Sequence, residues 1–304
     1  MLDEASCGIT TFVMQRGLFR YKRLMFGLCS APEKYNKIIR DVLKNCQGCA
    51  NIADDVIVYG KTLAEHDKNL IAVLDTLRES GLTVNEKKCK FRLPKLTFFG
   101  HDLSRRGIKP SEEKIAAIQD GESPKTASEA RSFTGLVQYC AKFIPDSASI
   151  ARPIQNLIRK HVDFVWGKKQ QYAFDKLKSL MTKPDVLAYC RNDCQTRVVT
   201  DASPTGLGAV LTQCQNSIWR VIAYASRSLS DVERRYSQTE KEALAIVWAV
   251  ERFNLYLFGM QFELESDHKP VECIYCRKSK PSARIERWVL RLQGYNFKVV
   301  YRPG

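Results

Sequence analysis

No stretch of this chain approaches the ~20 uninterrupted apolar residues that a membrane-spanning helix needs. Its opening decapeptide, "MLDEASCGIT", lacks the basic and then apolar layout of a signal peptide. The cysteines are numerous but irregular: eleven, an odd count, without the spacing of a disulfide framework. Two CxxC pairs, Cys46-Cys49 and Cys273-Cys276, stand far apart, and neither has a second pair or a histidine at finger distance, which argues against structural zinc. These absences point to a soluble intracellular chain whose thiols stay free in a reducing compartment.

What is present is size and positive charge. The 304 residues, 44% hydrophobic, suffice for roughly two domains, each with its own core. The net charge is +15, and no single basic tail accounts for it. Residues 1–110 carry 19 basic and 12 acidic side chains (+7), residues 111–190 carry 12 and 9 (+3), and residues 191–304 carry 17 and 12 (+5). A basic surface spread over all segments suits a long polyanion, because each phosphate contact releases condensed counterions.

The first third reads as an α+β domain. "LFRYKRLMFGLC" (18–29) has the pattern of a basic strand running into a glycine turn. A helix follows with Ser30 as N-cap, Pro32 in its first turn and Ile38, Ile39, Val42 and Leu43 on its apolar face. After "NIADDVIVYG" (51–60), apolar residues at Leu63, Leu70, Val73, Leu74 and Leu77 predict a second helix, ended by Gly81. "LTVN" and "LTFFGHDL" then read as short strands. From Pro110 to about Pro184 the pattern is helical with proline breaks. Beyond residue 195 the character changes: three β-rich pieces, a helix from Thr239 to Phe253, the strand "QFELESDHKP", the helix "SARIERWVLRLQGY" and the strand "NFKVVYRPG" predict a second, α/β domain.

Several acids occupy conspicuous places. Asp54 and Asp55 stand together directly before the apolar run Val56-Ile57-Val58-Tyr59. A doubled Asp suits a hairpin corner, because its side chain can bond its own backbone. It also suits a cation, since two carboxylates ~4 Å apart repel by about 4 kcal/mol at an effective dielectric near 20. In the second domain, Asp201 ends "RVVTD", Glu242 lies in the first turn of an amphipathic helix, and Asp267 ends "FELESD". Each has an innocent reading as a cap or a solvated end. Acids that close core elements of one sheet are also well placed to converge on Mg²⁺, which prefers oxygen ligands.

The residues carry a resemblance. "LFRYKRLMFGLCSAPEKYNKII", "IADDVIVYG", "GLTVNEKKCKF", "FFGHDLSRRGIKPSEEKIAAI" and "RSFTGLVQYCAKFIPDSASIARPI" resemble the reverse transcriptase of gypsy-type long-terminal-repeat retrotransposons. "VVTDASPTGLGAVLTQ", "IAYASRSLSDVERRYSQTEKEALAIVWAVERF", "ESDHKP" and "YNFKVVYRPG" resemble the ribonuclease H domain that follows it in the same polyproteins. The blocks stand in family order over nearly the whole chain.

The resemblance implies a partial palm over 1–110, a helical thumb and connection over 111–190, and a ribonuclease H-like domain with a mixed sheet flanked by helices over 191–304. It implies RNA-directed DNA polymerase and hybrid-cleaving endonuclease chemistry with Mg²⁺ or Mn²⁺. Asp54 and Asp55 would be metal-binding catalytic residues of the palm, and Asp201, Glu242 and Asp267 those of the nuclease. Gly27, Pro32, Lys87 and Lys88 would lie near template and nucleotide, Phe98, Phe99 and Gly100 would be the core of a hairpin that holds the primer end, and Ser237, Gln238 and Thr239 would contact the RNA strand. Arg227 would be structural. The partners implied are an RNA template, a DNA primer and an RNA–DNA hybrid, with a second copy or the remaining polyprotein domains as assembly partners. The family's palm also uses an Asp on an earlier strand, and its nuclease a further acid beyond "YRPG". Neither falls within these residues, so the expectation is a polymerase-deficient chain, with a non-catalytic nucleic-acid-binding remnant as the alternative.

Overall fold

Side chains that can accept a backbone hydrogen bond mark where the helices begin. Thr62, Ser111, Thr126 and Ser237 each accept one from the N–H three residues on, and a helix follows each. The computed structural model describes residues 1–182, 184–267 and 282–302. By its internal contacts the chain forms two compact units, Met1–Phe91 and Arg92–Gly304.

The first unit opens with α1 (Glu4–Ile9) and the hairpin of β1 (Thr11–Met14) and β2 (Gly17–Arg20). Helix α2 (Ala31–Val42), the hairpin of β3 (Cys49–Ile52) and β4 (Asp55–Val58), and helix α3 (Leu63–Glu79) complete it. Ile39 and Leu43 from the α2 end meet Val73 and Leu77 of α3, and Val56 and Val58 pack against them. Gly81 ends α3 as expected: its φ of +70° lets the Leu82 N–H reach back to the Leu77 carbonyl at 2.9 Å.

The second unit begins with a three-stranded antiparallel sheet of β5 (Lys95–Phe98), β6 (His101–Ser104) and β7 (Gly107–Pro110). Four helices follow: α4 (Glu112–Gln119), α5 (Ala127–Tyr139), α6 (Ser147–Leu157) and α7 (Lys168–Thr182). Ile118, Val137, Phe143, Ile154, Phe174 and Leu177 close their core. A mixed five-stranded sheet comes next, in the order β10-β9-β8-β11-β12. Its strands are β8 (Thr196–Ala202), β9 (Gly206–Gln215), β10 (Ile218–Ser228), β11 (Gln261–Ser266) and β12 (Asn296–Tyr301). The first three run antiparallel, whereas β11 runs parallel to both β8 and β12. Helix α8 (Gln238–Arg252) packs on β8 and β9, with the short α9 (Asn254–Leu257) after it and α10 (Ala283–Arg291) against it. Ala243, Ala245 and Ala249 are fully buried, and side chains this small let α8 lie close on the sheet. The α+β first part and the mixed, helix-flanked sheet match the fold class expected from the sequence.

Local expectations diverge where a partner is missing. The strand read over 18–29 stops at Arg20, because its partner β1 has only the register Thr11↔Arg20 to Met14↔Gly17 to offer. "LTVN" forms no strand: Leu82 joins the helix-end core, and the Asn85 side chain instead accepts from the Lys87 N–H at 3.2 Å to start a 3-10 turn. "LTFFGHDL" is not one strand but the hairpin that its family resemblance implied, since Phe99 (φ +46°) and Gly100 (φ +67°) are both left-handed and reverse the chain. Ser30 occupies the N-cap position of α2 with helical φ and ψ and makes no side-chain capping bond. Arg227 forms paired bonds of 2.8 Å to both oxygens of Glu233, which is the structural part expected of it. Cys273 and Cys276, the residues His268-Lys269-Pro270 and the final Pro303-Gly304 lie outside the described residues.

Candidate metal centre

Adjacent parallel strands deliver their last residues to one place. In the β8–β11 pair Val199 lies opposite Glu265, and carrying that register on by two residues brings Asp267 beside Asp201. Helix α8 starts over the same end of the sheet, so Glu242, one turn into the helix, joins them. One carboxylate oxygen from each of Asp201, Glu242 and Asp267 lies within 4.8 Å of the other two. Among the described residues no other group of three or more His, Cys, Asp or Glu side chains comes together in this way.

The electrostatics of this cluster are unfavourable without a cation. Glu242 is only 2% exposed, whereas Asp201 and Asp267 stay open to solvent. Burial pushes the Glu242 carboxyl up to about 7, and the charges of Asp201 and Asp267 add to this against the opposing hydrogen bond from Gln238. The Asp201 carboxyl is also raised, first by desolvation and then by Asp267, with a smaller push from Asp146. Glu242 Oε1 accepts from Gln238 Nε2 at 2.7 Å, but its buried Oε2 has no hydrogen-bond partner. An unpartnered buried oxygen on a carboxylate gathered with two others is costly, and a divalent cation is the partner that relieves both the missing bond and the repulsion. The residues therefore fit a metal.

The other acids singled out in the sequence sit differently. Ile52 pairs with Asp55, which leaves Ala53 and Asp54 as the two-residue corner of the β3–β4 hairpin, with Ala53 at φ +53°. Both aspartates are exposed. No third ligand-type side chain joins them among the described residues. Gly27 takes a left-handed φ of +89°, Pro32 stands in the first turn of α2, and Lys87 and Lys88 project from an exposed 3-10 turn.

Phe98, Phe99 and Gly100 form the tip of the β5–β6 hairpin. The Tyr139 hydroxyl donates to the Phe99 carbonyl, and the Lys114 ammonium lies 3.3 Å from the centre of the Tyr139 ring. His101 stacks on Tyr139, and burial, then the charges of Lys142 and Lys114, push its imidazole down to about 4, so it is neutral at pH 7. Ser237 is the N-cap of α8, with Gln238 and Thr239 as its first residues.

Two contributors, Asn36 and Asp146, escaped the sequence reading, as did one bond of a third, Gln238. Asn36 Oδ1 accepts from the Ala53 N–H at 2.8 Å and so ties the corner that carries Asp54 to α2; residues 17 positions apart leave no periodic signal. Asp146, ahead of α6, shares a cavity of about 210 Å³ with Asp201, which only the packing of α6 on β10 explains. Gln238 was read as an RNA contact, but its spacing of four from Glu242 is the signal that could have shown the bond between them.

Residues 2–116 match the family described as reverse transcriptase (RNA-dependent DNA polymerase), and residues 192–295 match the RNase H-like domain found in reverse transcriptase. The chain is 36% identical over 307 residues to a retrovirus-related Pol polyprotein from transposon 297 of Drosophila melanogaster, covering all of this chain and 28% of that protein. It is 31% identical over 299 residues to the transposon Tf2-3 polyprotein of Schizosaccharomyces pombe, covering 96% of this chain and 22% of that one. The chain thus spans about a quarter of the length of these relatives. Among solved structures, a foamy viral protease-reverse transcriptase in complex with an RNA/DNA hybrid superposes with a TM-score of 0.84 at 24% identity, over 99% of this chain and 42% of that one. The dRH form of that enzyme with double-stranded DNA gives 0.85 at 23%, over 100% and 54%. At these identities the superpositions establish the fold.

Proposed function

From a chain that belongs to the reverse transcriptase and ribonuclease H family of retrotransposon Pol polyproteins, we propose that the Asp201–Glu242–Asp267 cluster holds Mg²⁺ or Mn²⁺ and serves cleavage of the RNA strand of an RNA–DNA hybrid. The observation that carries this reading is the convergence of three carboxylates within 4.8 Å of one another, one of which, Glu242, has a buried, unpartnered oxygen. Bound there, a pair of divalent ions would activate a water and stabilise the leaving oxygen of a phosphodiester. Asp201 and Asp267 offer their carboxylates from the solvent side, where a hybrid can reach them. Glu242 offers its free oxygen from the protein side, anchored by the packed helix. Ser237 and Thr239, at the adjoining helix start, are then within reach of the RNA backbone.

The remaining assignments follow the same lineage. We assign residues 1–110 to the polymerase palm, 111–190 to thumb and connection and 191–304 to the nuclease. Asp54 and Asp55 are the metal-binding pair of the palm, presented by a hairpin corner. Gly27, Pro32, Lys87 and Lys88 lie toward template and nucleotide. The Phe98–Gly100 tip, flanked by Lys114 and Lys142, lies toward the primer, and its cations suit a phosphate backbone.

The experiment is release of RNA fragments from a labelled hybrid in Mg²⁺ or Mn²⁺, comparing this chain with its Asp201→Asn variant, alongside calorimetric Mn²⁺ binding. Metal-dependent cleavage that disappears with Asp201→Asn, together with the loss of Mn²⁺ binding, is the expected result. Cleavage persisting unchanged in the variant would sink the site assignment.

A further inference from the structure

Gln238 stands at the first position of α8, where its backbone is held by a capping box: the Ser237 side chain accepts from the Glu240 N–H, and the Glu240 carboxylate accepts from the Ser237 N–H at 3.0 Å. Arg284 of α10 fastens the same turn from outside through a 2.7 Å bond to Glu240. From this fixed base the Gln238 amide nitrogen donates twice. One bond, 2.8 Å, goes to the carbonyl of Ala202, the last residue of β8 and next to Asp201. The other, 2.7 Å, goes to Glu242 Oε1, one turn along the helix. A carbonyl and a carboxylate can only accept, so the orientation of the amide is set by its partners.

This arrangement has a consequence for Glu242. With Oε1 held, rotation of the carboxyl group would break a bond to a charged acceptor in a buried place, so the carboxylate is kept where it stands, with one of its oxygens within 4.8 Å of those of Asp201 and Asp267. Repulsion from those two acids pushes the other way. We propose that Gln238 is a positioning residue of the metal centre: it locks the Glu242 carboxylate to the end of β8, so that three oxygens are already gathered when a divalent cation arrives. Both amide hydrogens are engaged inside the protein, which leaves only its carbonyl oxygen to meet a nucleic acid. The inference rests on the reading of the three acids as a cation site.

The test uses the whole chain and Mn²⁺ alone, followed by calorimetry, with hybrid affinity measured separately in EDTA. Gln238→Leu removes both donors and keeps much of the bulk. It is expected to weaken Mn²⁺ binding by about 10-fold or more, as loss of a group that orients a ligand does. Hybrid affinity in EDTA should change less than about two-fold, because the metal ligand and not the nucleic acid has lost its support. In a Glu242→Gln background the same substitution should change Mn²⁺ affinity no further, since there is no carboxylate left to position.

If Gln238→Leu fails to fold, Gln238→Thr, a residue suited to the first helical turn, should show the same loss. Unchanged Mn²⁺ affinity with weakened hybrid binding would overturn the proposal in favour of a plain substrate contact. An Asp201→Asn control separates the two levels: if it too binds Mn²⁺ normally, the cation site itself fails, whereas loss in Asp201→Asn with wild-type binding in Gln238→Leu removes only the role of Gln238.

Discussion

Removing the charge of Glu242 should make the metal-free protein more stable. The carboxyl titrates near 4.5 when solvated and is pushed up to about 7 in the fold, by burial first and by Asp201 and Asp267 after it. For an acid raised in this way the fold prefers the neutral form. The cost is therefore absent below pH 4.5, grows as the pH rises toward 7, and is fully present above it. A shift of that size corresponds to about 3 kcal/mol at pH 8, and only about 1 kcal/mol at pH 5. Glu242→Gln replaces the carboxylate with a neutral group of the same shape that can still accept the Gln238 bond. In EDTA at pH 8 the variant should gain on the order of 2–3 kcal/mol, which raises the melting temperature of a unit this large by several degrees. At pH 5 most of the difference should vanish. Mg²⁺ at about 1,000 times its Kd should reverse the order, because a ligand bound only by the native state then stabilises by about 4.1 kcal/mol and the variant binds it poorly. Thermal unfolding by circular dichroism at both pH values, with and without Mg²⁺, supplies the data. A variant no more stable than the parent at pH 8 in EDTA would refute the reasoning, since the buried charge would then cost nothing.

Other perturbations have equally definite signs. Glu233 is held down to about 2, chiefly by its paired bonds with Arg227, so its contribution is complete above pH 4.5 and is lost as the pH falls toward 2. Glu233→Gln should cost about 2–3 kcal/mol at pH 7 in chemical denaturation and little near pH 2. Asn36→Ala removes the acceptor of the Ala53 N–H and should cost about 1 kcal/mol, with faster hydrogen exchange at the Ala53 amide than in the parent. Binding to RNA–DNA hybrids of unrelated sequence should weaken in a straight line on a plot of log affinity against log salt, as backbone contacts by a chain of net charge +15 require. A flat line, or a strong preference among sequences in the same filter-binding series, would count against it.

Much of this protein can be read along the chain because its signals are local. The period of Leu63, Leu70, Val73 and Leu77 fixes α3, and the positive φ that glycine permits at Gly81 ends it. The acids at the ends of "RVVTD" and "FELESD" advertise themselves by closing apolar strands. Errors arose where pairing decides. A strand exists only as far as a neighbour accompanies it, so β2 stops at Arg20 and "LTVN" stays unpaired although their composition suits strands.

The sequence by itself determined which residues could be ligands and which elements would carry them, since propensity, capping and apolar spacing act over a few residues. Only the tertiary structure decided that the ends of β8 and β11 lie side by side, that α8 brings Glu242 between them, and that Gln238 clamps it there. It also decided that Asp54 and Asp55, the more conspicuous pair in the sequence, stand exposed at a hairpin corner without a third partner among the described residues. The reason is range. Hydrogen bonds and helix periodicity are written between near neighbours, whereas a metal site is made by the register and packing that bring positions 201, 242 and 267 within 4.8 Å.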